Sequence, residues 1–295
     1  MIIDAHVHRY PHEVFADPLA FAKIHGEKHW LALVAPKNTP SIQGWADRKT
    51  MLADMDAALV DKALLLGWYW ENPETCHLHN RWHVEWTSKD PDRFIAFAAI
   101  NPLEGKHAIE ELKFACDNGF NGIGEILPKI QGFSIRDPAW LEIVEFAIDL
   151  DWPINFHVSE PVGHPHPGRI PTPFEDFQWL AETYPELKLI LAHWGGLLPF
   201  YELNEHFRKS STNILYDVAA SPLLYDPKVF RAIVDIVGCE KVLYGSDYPL
   251  RLYPEKLKCP DFKTFLEEIR NSGLSDSNLK KILGENTSNL LGLNK

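Results

Sequence analysis

Short runs of apolar residues recur along the chain, and each run ends in polar residues before a stretch with helical spacing begins. Eight runs have the length and apolar content of buried strands; they lie at 1–8, 62–67, 93–102, 120–126, 152–158, 187–196, 213–221 and 241–249. Apolar residues three and four positions apart predict helices at 51–61, 108–118, 139–150 and 173–184. Nearly continuous apolar strands that alternate with helices are typical of a parallel sheet covered on both faces.

Eight strand and helix units indicate the α/β class, and in particular a (β/α)8 TIM barrel. The chain has 295 residues, which is enough for a barrel of about 250 residues. We therefore expect one barrel domain over 1–295, with a long loop insertion at about 9–50. The alternative is a doubly wound open sheet, but no GxGxxG motif follows the first strand.

The charge balance excludes some classes of partner. The chain carries 29 Lys and Arg against 41 Asp and Glu, a net charge of −12, so it lacks the general basic surface that binds nucleic acid. No segment resembles a signal peptide or a membrane span of about 20 apolar residues. The four cysteines have no paired spacing. We expect a cytoplasmic protein with a small-molecule substrate and no nucleic acid or membrane partner. The segment 9–50 is a candidate contact in a homodimer or larger homo-oligomer.

Polar residues that bind metals stand at the ends of five of the predicted strands. In the opening MIIDAHVH, strand alternation places Asp4, His6 and His8 on one face. Later strands end at or near Glu125, His157, His193 and Asp247. The carboxyl ends of barrel strands form one rim, so these groups meet there. Because buried imidazoles and carboxylates are costly without compensation, a divalent cation is expected, and this donor set without cysteine suits Zn, Mn, Fe or Co.

Together these features resemble a known superfamily. HxH on the first strand, His on the fifth and sixth and Asp on the eighth resemble the amidohydrolase superfamily. The stretches IDAHVH, PDRFIAFAAINP, LAHWGG, LYGSDYP and KILGENTSNLLGL look like its amidohydrolase-2 branch, which includes the aminocarboxymuconate-semialdehyde decarboxylase type. The resemblance extends from Met1 to about Leu293.

The resemblance implies a ligand set. It implies metal binding by His6, His8, His157 and Asp247. His193 would orient the metal-bound water or bind a second ion. Glu125 is similar to the glutamate that bridges two metals in TatD-type hydrolases, although a hydrogen-bonding role beside the ligands is the alternative. The expected cofactor is therefore one or two divalent ions, with zinc as the first candidate and manganese, iron or cobalt as alternatives.

The same resemblance implies a metal-dependent hydrolase that cleaves a C–N, ester or lactone bond with activated water. The catalytic residues would be Asp247, which takes the water proton, and His193, which stabilises the oxyanion. The alternative is a metal-dependent, non-oxidative decarboxylase of a small carboxylic acid, aromatic acids included. His6 favours hydrolysis because aromatic-acid decarboxylases of this branch can carry ExH, and Glu125 favours hydrolysis too. A metal-free lactonase and a binding protein without chemistry are further alternatives.

Two arginines are predicted to bind substrate. Arg251 follows Asp247 by four residues, and Arg169 lies in the loop after the fifth strand, so either could pair with a carboxylate or phosphate. The alternative is a solvated surface arginine. His79 and His83 lie one turn apart on a predicted helix. We interpret them as surface or interface residues because that helix should lie outside the barrel.

Overall fold

A computed structural model describes residues 1–293 of the chain. Its strands within this range are β1 (Ile3–Val7), β2 (Lys62–Leu65), β3 (Phe94–Ala96), β4 (Ile123–Ile126), β5 (Ile154–Phe156), β6 (Leu189–Leu191), β7 (Ile214–Asp217) and β8 (Val242–Leu243). Each strand lies within one of the eight predicted runs and is shorter than that run.

Helices lie between successive strands and after the last strand. They are α1 (His12–Ala16), α2 (Pro18–His25), α3 (Lys28–Val34), α4 (Arg48–Ala58), α5 (Pro73–Lys89), α6 (Lys106–Asp117), α7 (Pro128–Gln131), α8 (Pro138–Asp149), α9 (Phe174–Thr183), α10 (Glu205–Ser210), α11 (Ser221–Leu224), α12 (Lys228–Val237), α13 (Lys263–Arg270), α14 (Asp276–Lys280) and α15 (Asn286–Leu290). None of the helices within 1–293 is both long enough and apolar enough to cross a membrane.

The strands close into a barrel. All neighbouring pairs in the order β1 to β3 and in the order β4 to β8 are parallel. A parallel bridge between Ala98 and Ile123 joins the two groups on one side, and a bridge between Val7 and Tyr248 joins them on the other. The main-chain N–H of Ala5 also donates to the carbonyl of Tyr244 at 2.7 Å. The predicted (β/α)8 barrel is confirmed.

Helix caps in the sequence account for where the outer helices begin. The carboxylate of Asp47 accepts from the N–H of Thr50 at 2.7 Å and so satisfies an N–H that the first turn of α4 leaves unpaired. Met51 and Met55 then lie one turn apart and are fully buried in the layer between the helices and the sheet. The apolar residues whose spacing predicted this helix therefore form the face that packs on the barrel.

The interior of the barrel is filled by a separate apolar cluster. It consists of Ala5, Leu64, Leu66, Ile95, Phe97, Ile190 and Leu243. Leu64 points away from its neighbours Ala63 and Leu65, which pack in the outer layer, as strand alternation requires. At the carboxyl ends of the strands, Leu66 and Phe97 of this cluster follow β2 and β3, whereas the polar residues His8 and His157 follow β1 and β5.

The insertion after β1 folds against the loop that follows β2. Trp30 of α3 is 1% exposed, and its ring packs against those of Tyr10 and Trp70. The carboxylate of Glu27 accepts from the N–H groups of Glu71 and Asn72 at 2.9 and 3.1 Å. Aromatic packing and these hydrogen bonds hold the insertion on the barrel.

Candidate metal centre

The six predicted metal-binding residues lie together at the carboxyl end of the barrel. His6 lies on β1, Glu125 lies on β4, and the remaining four follow the ends of β1, β5, β6 and β8. They are His6, His8, Glu125, His157, His193 and Asp247. All are buried except His157, whose side chain is 14% exposed. A cluster of this kind is what polar residues at the ends of several parallel strands are expected to form.

The first strand contains an irregularity that separates Asp4 from the two histidines. Asp4 pairs with Ala63 and Val7 pairs with Leu65, so β1 uses one more residue than β2 over this interval. Such a bulge reverses the alternation, and Asp4 therefore faces the same side as Val7, away from His6 and His8. The prediction that all three share one face is wrong for Asp4. Its carboxylate instead accepts from the N–H groups of Ser246 and His6.

Glu125 lies between the other members of the cluster. Its Oε1 is 3.0 Å from Nδ1 of His157 and 3.6 Å from Nε2 of His193, and its Oε2 is 3.6 Å from Nε2 of His8. Oδ1 of Asp247 lies 3.8 Å from Nε2 of His6 and 3.6 Å from Nε2 of His8. Two ligands of one ion with bonds of about 2.1 Å lie roughly 3 to 4 Å apart, so these separations suit a shared cation.

Two overlapping groups within the cluster have the spacing of a metal site. The ligand atoms of His6, His8 and Asp247 all lie within 4.8 Å of one another, and so do those of His6, Glu125 and His193. His6 belongs to both groups. The arrangement could therefore hold a divalent cation.

In three of the histidines, one ring nitrogen points away from the cluster. This outer nitrogen lies next to an oxygen that can accept a hydrogen bond but cannot donate one. The pairs are His6 Nδ1 with the Asp217 carboxylate at 2.9 Å, His157 Nε2 with the carbonyl of Gly168 at 3.3 Å, and His193 Nδ1 with the carbonyl of Ala219 at 3.0 Å. Each outer nitrogen must therefore carry the hydrogen. In the neutral ring, the inner nitrogen then presents a lone pair to the cluster.

The inner nitrogens face one another at short range. Nε2 of His6 lies 3.2 Å from Nε2 of His8, and Nε2 of His193 lies 3.1 Å from Nδ1 of His157. Nε2 of His193 and Nδ1 of His157 both present lone pairs, and facing lone pairs repel unless a positive charge lies between them. A divalent cation relieves this repulsion, and the nitrogen and carboxylate donors are those that Zn²⁺ and Mn²⁺ accept. The residues present fit such an ion.

The electrostatics of the cluster also require positive charge. Burial by itself would lower the pKa of His6, but the carboxylates of Asp217, Glu125 and Asp247 raise it to about 10. Burial would raise the pKa of Glu125, yet His157 and His6 hold it well below its ordinary value. The carboxylates are therefore stabilised as anions, and the site attracts a cation or protons.

Asp217 is a site residue that the sequence analysis did not identify. It is fully buried at the end of β7, and besides His6 its carboxylate accepts from the N–H of His193 at 3.1 Å and from Asn155 Nδ2 at 3.1 Å. Asp217 thus orients two of the predicted ligands. The sequence did contain a signal for Asp217, because the apolar run NILYD ends in this aspartate. The other predicted site residues likewise stand at or near the ends of apolar runs.

The two predicted substrate-binding arginines hold loops in place. A guanidinium N–H of Arg251 donates to the carbonyl of Ser41, while Arg169 donates to the carbonyls of Gly163 and Pro161 at 2.6 and 3.1 Å. Within residues 1–293, neither guanidinium forms a hydrogen bond or an ion pair with any of the six cluster residues. Their role in substrate binding stays a prediction.

The interpretation of His79 and His83 as surface residues is wrong, because both are fully buried. The helix α5 does lie outside the barrel, but the insertion and the loop after β2 cover it. Nδ1 of His79 accepts from the indole N–H of Trp70 at 2.8 Å, and Nδ1 of His83 donates to the carbonyl of Phe97 at 3.1 Å. The periodicity of α5 could not reveal this second layer of packing.

Comparison with known proteins gives the family. The amidohydrolase family model Amidohydro_2 matches residues 3–293, and the chain is therefore an enzyme of that family. This agrees with the resemblance carried by the sequence motifs.

Several of the relatives and solved structures found by comparison are decarboxylases. The chain is 24% identical to 2-amino-3-carboxymuconate-6-semialdehyde decarboxylase of Dictyostelium discoideum over 81% of this chain and 74% of that protein. It is similar in fold to 5-carboxyvanillate decarboxylase of Sphingomonas paucimobilis, with a TM-score of 0.75, 15% identity and coverage of 99% and 98% of the two chains. Dihydroxybenzoic acid decarboxylase of Polaromonas sp. JS666, with bound manganese and the inhibitor 2-nitroresorcinol, gives a TM-score of 0.66 at 18% identity, with 100% of this chain and 97% of that chain covered.

These comparisons correct the predicted reaction. The prediction of a hydrolase is contradicted, because the relatives act as decarboxylases, the class that the sequence analysis placed second. The error has a physical reason: the same histidine and carboxylate ligands can polarise a carbonyl for attack by water or hold a substrate carboxylate. His6 and Glu125 were therefore not diagnostic. The cytoplasmic location and the homo-oligomer stay predictions.

Proposed function

We propose that the chain catalyses the metal-dependent, non-oxidative decarboxylation of a small aromatic carboxylic acid. The observation that carries the proposal is the set of inward lone pairs, at His6, His157 and His193, beside the carboxylates of Glu125 and Asp247. The decarboxylase relatives give the reaction class that this cluster would serve.

The proposed ligands are those that the family resemblance implies. His6, His8, His157 and Asp247 would hold the cation. Glu125 would either contribute to a second ion site together with His193 or accept hydrogen bonds beside the ligands. Manganese and zinc both suit the donors, and manganese has added support from the manganese-bound neighbour.

Aromatic side chains beside the cluster support an aromatic substrate. The ring of Trp68 meets that of His8 edge-on with centroids 5.1 Å apart, and the ring of Tyr69 lies 5.3 Å from that of His157. Trp68 and Tyr69 are themselves stacked at 4.3 Å. A wall of this kind favours a flat ring over a highly charged, flexible acid.

The chemistry divides between the ion and the chain. When bound, a divalent cation supplies the positive charge that grips the substrate carboxylate and a neighbouring oxygen. Asp247 would transfer a proton to the ring carbon that bears the carboxylate, and the bond between that carbon and the carboxylate would then break. The bonding electron pair stays on the ring, CO₂ leaves, and Asp247 recovers a proton from water. Asp217 holds His6 in place throughout.

Release of CO₂ from defined acids tests the proposal. Chain loaded with Mn²⁺ or Zn²⁺ is incubated with 2,6-dihydroxybenzoate and with 5-carboxyvanillate, and CO₂ and the decarboxylated ring are both quantified. We expect stoichiometric CO₂ from at least one acid, and none with the Asp247→Asn variant. A wild-type chain that binds metal yet releases no CO₂ from a panel of carboxylated rings would overturn it.

A further inference from the structure

The loop after β5 is closed on itself and has one buried point. The N–H of Ser159 donates to Oγ1 of Thr172 at 3.1 Å, and the Thr172 hydroxyl donates to the carbonyl of Ser159 at 3.3 Å. Residues 161–167 between them are exposed, but Gly168 is buried. The loop is therefore a compact surface segment anchored at its ends and at Gly168.

Gly168 is held by a serine and in turn contacts a predicted metal ligand. Its carbonyl accepts from Oγ of Ser159 at 3.0 Å and from Nε2 of His157 at 3.3 Å. Oγ of Ser159 also accepts from the N–H of Ile170 at 3.0 Å. Because Ile170 donates to it, the Ser159 hydroxyl has its own hydrogen available for Gly168. Ser159 thus binds the loop on both sides of Arg169.

The insertion after β1 packs against the same glycine from the solvent side of the loop. A Cβ added to Gly168 would lie 3.2 Å from Cδ2 of Leu33 and 3.3 Å from Nδ1 of His166. Leu33 lies on α3, so this helix reaches the loop at Gly168. The two segments that lie outside the barrel repeat, namely 9–50 and 159–172, therefore meet directly above His157.

We infer that Ser159 is a positioning residue for the metal centre. Its hydroxyl keeps the carbonyl of Gly168 on Nε2 of His157, and this carbonyl holds the hydrogen on Nε2. Nδ1 of His157 then keeps its lone pair directed at Glu125 and His193, at 3.0 and 3.1 Å. The hydrogen bond that closes the loop therefore also favours the tautomer of His157 that can bind a cation through Nδ1. The inference rests on the proposed metal site.

Cobalt binding to the Ser159→Ala variant tests the coupling. Metal-free protein is titrated with Co²⁺, and the visible absorption of bound Co²⁺ reports both the dissociation constant and the ligand geometry. We expect the dissociation constant to rise about 10- to 100-fold, the usual cost of losing a group that orients a ligand, with a changed spectrum. Hydrogen exchange at the Ile170 amide should also accelerate, because its acceptor is gone.

Three further variants keep the test interpretable. Ser159→Thr retains the hydroxyl and should restore tight Co²⁺ binding. Leu33→Ala loosens Gly168 from the outside and should weaken binding several-fold without touching Ser159 or His157. Ser211→Ala is the matched control: this serine is also buried and also bonds a backbone carbonyl, that of Arg208, but it precedes β7 at the opposite end of the barrel, so Co²⁺ binding should not change.

The outcomes separate this inference from the proposed function. If Ser159→Ala accelerates exchange at Ile170 but leaves Co²⁺ affinity and spectrum unchanged, the serine is merely structural and the inference is overturned, while the metal site survives. If the wild-type chain binds no Co²⁺, both the metal site and this inference fail. If Ser159→Ala is poorly folded, Leu33→Ala carries the test, and its unchanged affinity would likewise overturn the coupling.

Discussion

The chain buries histidines in two places, and the two places behave in opposite ways. His6 at the barrel mouth and His83 on α5 are both fully buried. Burial lowers the pKa of His83 to about 3. At His6 burial acts in the same direction, but the carboxylates of Asp217, Glu125 and Asp247 overcome it and raise the pKa to about 10. Burial alone therefore does not make a metal site.

The hydrogen bonds of the two places explain the difference further. At the mouth, acceptors on the outer ring nitrogens direct lone pairs inward, where they meet one another and two carboxylates. On α5, His79 accepts from Trp70 and so carries its hydrogen on Nε2, whereas His83 donates from Nδ1 and presents a lone pair on Nε2. The α5 pair is thus uncharged, and Nε2 of both rings is buried without a hydrogen-bond partner among residues 1–293. A histidine pair needs converging lone pairs and nearby carboxylates before it favours a cation.

Removing the proposed proton donor should give the largest effect. We expect Asp247→Asn to lower kcat for decarboxylation by about 10²- to 10⁴-fold, the range for loss of a general acid, while the fold is kept. Steady-state CO₂ release and circular dichroism measure the two. The control is Asp176→Asn, which removes a half-buried ion-pair partner of Arg136 and should leave kcat unchanged. Normal turnover in Asp247→Asn would remove this residue from the mechanism.

Removing Asp217 tests whether outer hydrogen bonds define the mouth cluster. Asp217→Asn keeps the size of the side chain but replaces the carboxylate that accepts from Nδ1 of His6 with an amide. We expect the dissociation constant for Mn²⁺ to rise about 10- to 100-fold, measured by titration of metal-free protein. An unchanged constant would show that His6 needs no orienting carboxylate.

The α5 pair should appear in the pH dependence of stability and not in metal binding. The pKa of His83 is about 3 in the folded chain and about 6.5 in the unfolded chain. Between these values the unfolded chain binds more protons, so stability falls as pH drops from about 6.5 toward 3. The slope from this residue is about 1.4 kcal/mol per pH unit.

Urea unfolding at several pH values checks this sign. His83→Gln should flatten the slope below pH 6.5 by about that amount, whereas His107→Gln, at a side chain that is 75% exposed, should leave it unchanged. Metal content should stay equal in all three proteins. A metal deficit in His83→Gln would mean that the two histidine regions are coupled.

The smallest effect is expected at the rim. Arg251→Ala should raise KM for a carboxylate substrate a few-fold with kcat nearly unchanged if the guanidinium pairs with the substrate. The structure offers a competing role, since Arg251 donates to the carbonyl of Ser41. If KM is unchanged, Arg251 serves only to hold the insertion, and the predicted substrate contact is removed.

Several features could be read directly from the order of residues. Apolar runs interrupted by helical spacing gave the barrel, because strand and helix periodicities are local properties of the chain. His157, His193 and Asp247 could be identified because each follows such a run, and the carboxyl ends of parallel strands share one rim. Asp217 carried the same signal at the end of NILYD.

Other features depend on partners far away in the chain. The bulge that turns Asp4 away from His6 exists only in the pairing of β1 with β2. The burial of His79 requires the insertion and Trp70 to cover α5. The choice between hydrolysis and decarboxylation was also beyond the ligand pattern, because the same donors serve both reactions.

The sequence by itself determined the barrel, the positions of its strands and the six residues at its mouth, since these follow from local periodicity and chain order. Only the tertiary structure decided which nitrogen of each histidine carries the hydrogen. That choice depends on acceptors such as Asp217 and Ala219, which lie on other strands and loops. The tertiary structure also brings Ser159, Gly168 and Leu33 together near His157, because contacts between distant segments form only when the chain folds.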